Sequence, residues 1–176
     1  LEIFNQDVVQ EHLRLACDWL AEKTKREFQQ SVVQRLESPA GAALQRHLES
    51  VGEAIFEIWF TGLVAYDRTK FSPFLLIRQF DVEVASKRYR LDFTIAIAGT
   101  TPLEYLPVAI ELDGHAFHEK TPEQVTARNE RDRHLQAAGY EVIHFSYSEL
   151  TGKPVHCVVD AMRVAWLAYE KTRKAE

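Results

Sequence analysis

The 176-residue sequence has two cysteines, Cys17 and Cys157, too few for a disulfide framework and consistent with a reducing, cytoplasmic setting. No apolar run reaches the roughly 18–20 residues that a membrane span needs, and no secretory signal opens the chain, so no membrane partner is expected. Positive charge is not in excess. Lys and Arg number 21 against 26 Asp and Glu, a net charge of −5. That argues against a chain held on nucleic acid by bulk charge. It leaves a local basic groove, or an acidic site that becomes attractive after binding a cation. There is no internal repeat and no low-complexity tract. The first residue is Leu1 rather than Met, so a trimmed chain or a piece of a longer one is expected. A composition of 46% hydrophobic and 27% charged residues excludes disorder. A chain this long buries about 70% of its unfolded surface and forms one domain with room for an appendage.

The apolar period predicts one long helix over 5–36, with Lys23, Lys25 and Arg26 on a wet face and Ser38-Pro39-Ala40-Gly41 ending it. Residues 1–48 are accordingly read as an N-terminal helical arm and 49–176 as the core. A second helix begins at Ser50, where Ser50-Val51-Gly52-Glu53 fits a capping box. Residues 75–82 and 89–97 read as strands joined by the short link 83–88, an antiparallel hairpin. A loop over 98–105 and a strand over 106–113 follow. A charged helix over 122–138 stops at Gly139, and a strand over 140–145 and an amphipathic helix over 155–173 complete the chain. The strand–helix–strand unit at 106–145 should be parallel and right-handed, which makes an α/β chain with a mixed sheet flanked by helices.

Strand period then places the acids. In the second strand Leu91, Phe93, Ile95 and Ile97 share one face, with Arg90, Asp92 and Thr94 on the other. In the third, Glu111 and Asp113 oppose Val108, Ile110 and Leu112. Buried carboxylates are costly unless compensated. Convergence of Asp92, Glu111 and Asp113 on a hard divalent cation, Mg²⁺, Mn²⁺ or Ca²⁺, is the simplest remedy. Gly114 lets the backbone turn out of the strand end and carries His115 and His118 back over the acids. A cation beside an imidazole is the equipment of phosphodiester hydrolysis. The alternatives are a solvated strand end, an edge aspartate paired with Arg90 or Arg78, and ordinary surface histidines.

These residues resemble those of the PD-(D/E)XK nuclease superfamily, in the branch related to the very-short-patch mismatch-repair endonucleases. The resemblance spans roughly 50–150. It rests on Glu53 with Ile58-Trp59, Arg78-Gln79, Leu91-Asp92-Phe93, and the run from Ile110 through Glu111-Leu112-Asp113-Gly114-His115 to His118. Arg131-Asp132, Gly139-Tyr140 and Ser148-Glu149-Leu150 extend it. It implies a restriction-endonuclease-like αβββαβ core and a Mg²⁺- or Mn²⁺-dependent nuclease. Asp92 and Glu111 would be metal ligands and Leu112 would offer its backbone carbonyl. Asp113 stands where the signature lysine usually stands, a departure from the pattern, and His118 takes the acid/base role as in the repair endonucleases. Glu53 resembles an extra acid beside the metal, with the capping reading open beside it, and Gln79 a polar residue facing the site.

For substrate, Arg128 and Arg131 share a helical face and with Lys120 are candidates to hold phosphates; a helix laced by its own salt bridges is the alternative. The partner expected is nucleic acid, DNA before RNA, with homodimerisation or tethering through the N-terminal helices. The rival expectation is an inactive nuclease-fold module that binds nucleic acid or assembles with protein.

Overall fold

The structure is a computed structural model, which describes residues 6–20, 28, 30, 48–71, 73–97, 104–113 and 121–175. In chain order the elements are α1 (Asp7–Trp19), α2 (Val51–Tyr66), α3 (Arg68–Phe71), β1 (Phe74–Val84), β2 (Lys87–Ile97), β3 (Glu104–Tyr105), β4 (Val108–Asp113), α4 (Pro122–Ala137), β5 (Glu141–Ser146), α5 (Tyr147–Gly152) and α6 (Pro154–Ala175). The sheet runs β1-β2-β4-β5, with β3 beside β2. Among the described residues only β4 and β5 pair in parallel, so the sheet is mixed, as expected. No helix among the described residues is long and apolar enough to cross a membrane.

Two apolar layers hold the sheet. On one face Phe93, Ile95, Val108, Ile110 and Phe145 pack with Phe56 of α2 and with Val158 and Met162 of α6. On the other, Leu91 and Ala109 pack with Leu135 of α4. Helix α2 is apolar nearly all round, and its residues from Gly52 to Phe60 are buried. The reason is that α1 covers the side the sheet leaves open. Trp59 Nε1 donates to His12 Nδ1 at 3.0 Å, and Trp19 stacks on Tyr66 with centroids 4.4 Å apart.

The long first helix is corrected: α1 ends at Trp19, and Leu20 has extended backbone (φ −87°, ψ 146°). Packing explains the break. A Cβ placed on Gly62 would lie 3.5 Å from the Phe28 ring and 3.9 Å from Ala16 Cβ. A straight helix would hold those two residues about 18 Å apart, so Ala16 and Phe28 cannot belong to one unbroken helix. Lys23, Lys25, Arg26 and the segment from Ser38 to Gly41 lie outside the described residues.

Elsewhere local chemistry sets the boundaries. Ser50 caps α2 by accepting from Glu53 N at 3.2 Å. Thr121 and Gln124 form a full capping box ahead of Pro122, and Gly139 ends the α4 region with φ +90°. The β1–β2 turn is Ala85-Ser86 with φ of 52° and 60°, the double positive φ of a type I′ hairpin without its usual Asn-Gly. Strands β1 and β2 are longer than the sequence suggested, β4 starts two residues later and β5 is shifted by one. Three elements were not anticipated: α3, a single turn after α2, β3, inside the expected loop, and α5, capped by Ser146 and Glu149.

The expectation that Leu91 shares a face with Phe93 is also corrected. Phe74, Leu76, Phe93 and Ile95 face α2 and α6, whereas Phe80, Val82, Tyr89 and Leu91 belong to the α4 layer. Both strands change face between Arg78 and Phe80 on β1 and between Leu91 and Phe93 on β2. Gln79, with φ 47°, sits at the crossing.

Candidate functional site

The crossing aims two consecutive side chains of β1 at one helix. In a regular strand neighbours point to opposite faces. The left-handed backbone at Gln79 cancels that alternation. Arg78 forms a buried, two-point ion pair with Glu57, one bond being Nη2 to Oε1 at 2.6 Å. Gln79 Nε2 donates to Glu53 Oε2 at 2.9 Å. Glu53 and Glu57 are one turn apart on α2, so residues 78 and 79 read one helical face. Glu53 Oε2 also accepts from Glu49 N at 3.0 Å. Glu53 thus ties the helix start, as the capping reading expects, and is buried near Asp92.

Asp92 lies opposite Gln79. Its Oδ2 accepts from Leu112 N at 2.7 Å. The reason is the sheet: β2 and β4 share one register pair, Phe93 with Ile110, and side chains join the strands on either side of it. Thr94 Oγ1 donates to Val108 O at 2.8 Å on one side, and Asp92 reaches Leu112 N on the other. The two strands thus part just where the acids sit.

As the alternation in β4 predicts, Glu111 and Asp113 point to α4 while Leu112 packs against the main core. Glu111 is ion-paired with Arg131 Nη2, which also donates to Arg90 O at 2.7 Å. Asp113 pairs with Arg128 Nη2 at 3.0 Å. The face shared by Arg128 and Arg131 is borne out, but these residues meet acids of β4 rather than acids of their own helix.

Burial dominates the electrostatics. Glu111 is 7% exposed, and burial pushes its pKa up to about 8, with Asp92 and Asp132 adding to the rise and Arg131 opposing it. Burial also raises Asp92, helped by the Glu49 and Asp113 charges and opposed by Leu112 N–H and Arg131. Glu53 is raised by burial and by Asp92, against its bonds from Glu49, Gln79 and Ser50. Asp92 therefore acts on Glu53 on one side and on Glu111 on the other. Two guanidinium groups leave this acidic group short of positive charge, the condition under which perturbed acids mark a functional site.

Sequence reasoning missed His144 and Asp132. Parallel pairing sets His144 beside Glu111. Its Nε2 contacts Asp132 Oδ2 at 3.0 Å and its Nδ1 lies 3.7 Å from Asp113 Oδ2. Burial lowers its pKa. The available signal was the parallel register of β4 and β5, which puts a histidine of an otherwise apolar strand on the face of the acids. His115, His118 and Lys120, with Gly114, lie outside the described residues.

Among the described residues no three His, Cys, Asp or Glu side chains are arranged to hold a metal ion. The donors available are two carboxylates, Asp92 and Glu111, the first acting on the second. That set suits Mg²⁺, which keeps several waters and takes one or two carboxylates, and does not suit a cage-bound ion. Comparison with protein-family models, with curated proteins and with solved structures finds no match to this chain.

Proposed function

We propose that the chain is a divalent-cation-dependent nuclease with a restriction-endonuclease-like core, acting on DNA. The observation that carries this reading is the juxtaposition of Asp92 and Glu111 at the parting of β2 and β4, where the Asp92 charge adds to the rise of the buried Glu111. Asp92 and Glu111 would hold a Mg²⁺-like ion, with the Leu112 carbonyl beside them. When bound, the ion supplies Lewis-acid activation of water and neutralises phosphate charge. Glu53 and Gln79 fix the α2 side of the site. Arg128 and Arg131 stand on the α4 side as phosphate contacts. His118, from the sequence pattern, is the candidate for delivering a proton to the leaving oxygen. Asp113 in the usual lysine position moves water positioning onto other groups.

A cleavage assay tests this. Supercoiled and linear DNA with Mg²⁺ or Mn²⁺ should be cut by the full chain and left intact by Asp92→Ala. One observation favours the second reading, a binding or assembly module without catalysis: Glu111 and Asp113 already have arginine partners. Stable DNA binding with no cutting under Mg²⁺, Mn²⁺ or Co²⁺ would establish that module instead.

A further inference from the structure

We propose that Arg131 is the resident counter-ion of Glu111, released to a substrate phosphate when a divalent cation takes over the carboxylate. The inference rests on the nuclease reading and extends it to this residue. Nη2 of Arg131 donates to Glu111 Oε1 and to the Arg90 carbonyl. The neighbouring donor on the same edge of the guanidinium, Nε, is buried and has no hydrogen-bond partner among the described residues. That edge is the fork which takes two oxygens of a carboxylate or phosphate, and here Glu111 fills half of it. The Tyr89 ring, 6.0 Å from the guanidinium carbon, backs the group. The Arg131 side chain keeps a quarter of its surface exposed against 9% for Glu111, so the arginine lies nearer solvent than its partner and its covered Nε becomes accessible only when the pair separates.

The electrostatics supply the direction of exchange. Arg131 brings one positive charge to a carboxylate that also feels Asp92 and Asp132. A divalent ion at Asp92 and Glu111 outcompetes one guanidinium and repels it. The Arg90 carbonyl keeps the arginine head at the rim of the site, where the fork, once parted from Glu111, meets a phosphate oxygen.

The test is Mn²⁺ binding to the full chain at pH 8, followed by the electron paramagnetic resonance signal of the free ion and read without nucleic acid. Arg131→Gln should bind Mn²⁺ about fivefold tighter than wild type, since one unit charge is removed from beside the ion. Arg131→Met, which removes the same charge, should bind Mn²⁺ as tightly as Arg131→Gln and serves if the glutamine variant does not fold. Arg163→Gln, from an exposed pair on α6, should match wild type. With Ca²⁺ in place of Mn²⁺, Arg131→Gln should bind a short DNA duplex more weakly than wild type. Unchanged or weaker Mn²⁺ binding in folded Arg131 variants, with wild type still binding through Asp92, overturns the exchange and leaves the nuclease reading standing. If folded wild type and variants all fail to bind Mn²⁺, the nuclease reading falls and takes the exchange with it.

Discussion

Gln79 faces Asp92 across the β1–β2 hairpin, between the register pairs Arg78–Phe93 and Phe80–Leu91. At this pair both strands pass from one helical layer to the other. The crossing depends on a left-handed residue that is not glycine, a conformation costing about 1–2 kcal/mol in an L-residue. Gln79→Gly and Gln79→Ala both lose the bond to Glu53, but only the glycine relieves the backbone. Urea unfolding should show the alanine variant less stable than the glycine variant by about 1 kcal/mol.

The Arg78–Glu57 pair is buried on both sides, with side chains 2% and 1% exposed. Removing one member strands a charge in the core. Arg78→Ala should cost about 3–5 kcal/mol. The double replacement Glu57→Leu with Arg78→Met should cost less than that single change. Equal or greater loss in the double variant, by chemical denaturation, would contradict this account.

Glu111 gives stability a pH dependence of known sign. Its pKa in the folded protein is about 8 against 4.5 unfolded, so between these values the folded state holds more protons. Its contribution is complete below pH 4.5 and is lost as pH rises through 8. Glu111→Gln should flatten the fall of Tm over pH 5–8, by an amount on the order of 3 °C for each kcal/mol removed. Thermal unfolding of both proteins across that range measures it.

His12 acts in the opposite sense. Burial lowers its pKa from 6.5, so the unfolded chain takes up the proton first. Stability from the docked α1 is complete above pH 6.5 and falls as pH drops below it. The neutral ring is the form that accepts from Trp59. Trp59→Phe should cost about 1 kcal/mol for the lost hydrogen bond as well as any loss of packing. Tryptophan fluorescence during acid titration should report α1 loosening before the sheet unfolds.

Much of the fold was legible because the signals are local. Ser50 with Glu53, Pro122, Gly139, and the alternation in Val108–Asp113 each act within a few residues, and each appears in place. The break in the first helix was not legible, because it is set by Ala16 and Phe28 meeting Gly62 from far along the chain. The change of face at Asp92 was hidden for a similar reason. Period-two reasoning assumes a regular strand, and only the register against β1 reveals where regularity stops. Glu53, Gln79, Asp92, Glu111, Arg128 and Arg131 were all named from sequence. Their pairings required the sheet order, and His144 required the β5 register as well.

Joining β2 to β4 through an aspartate oxygen has a mechanical consequence. Whatever draws that oxygen away, a proton or an ion, unfastens the amide of Leu112 and lets the sheet gape at that point. Any ligation at the acids would thereby be written into the width of a seam between two strands, with the exchange rate of one backbone hydrogen, that of Leu112, as its gauge.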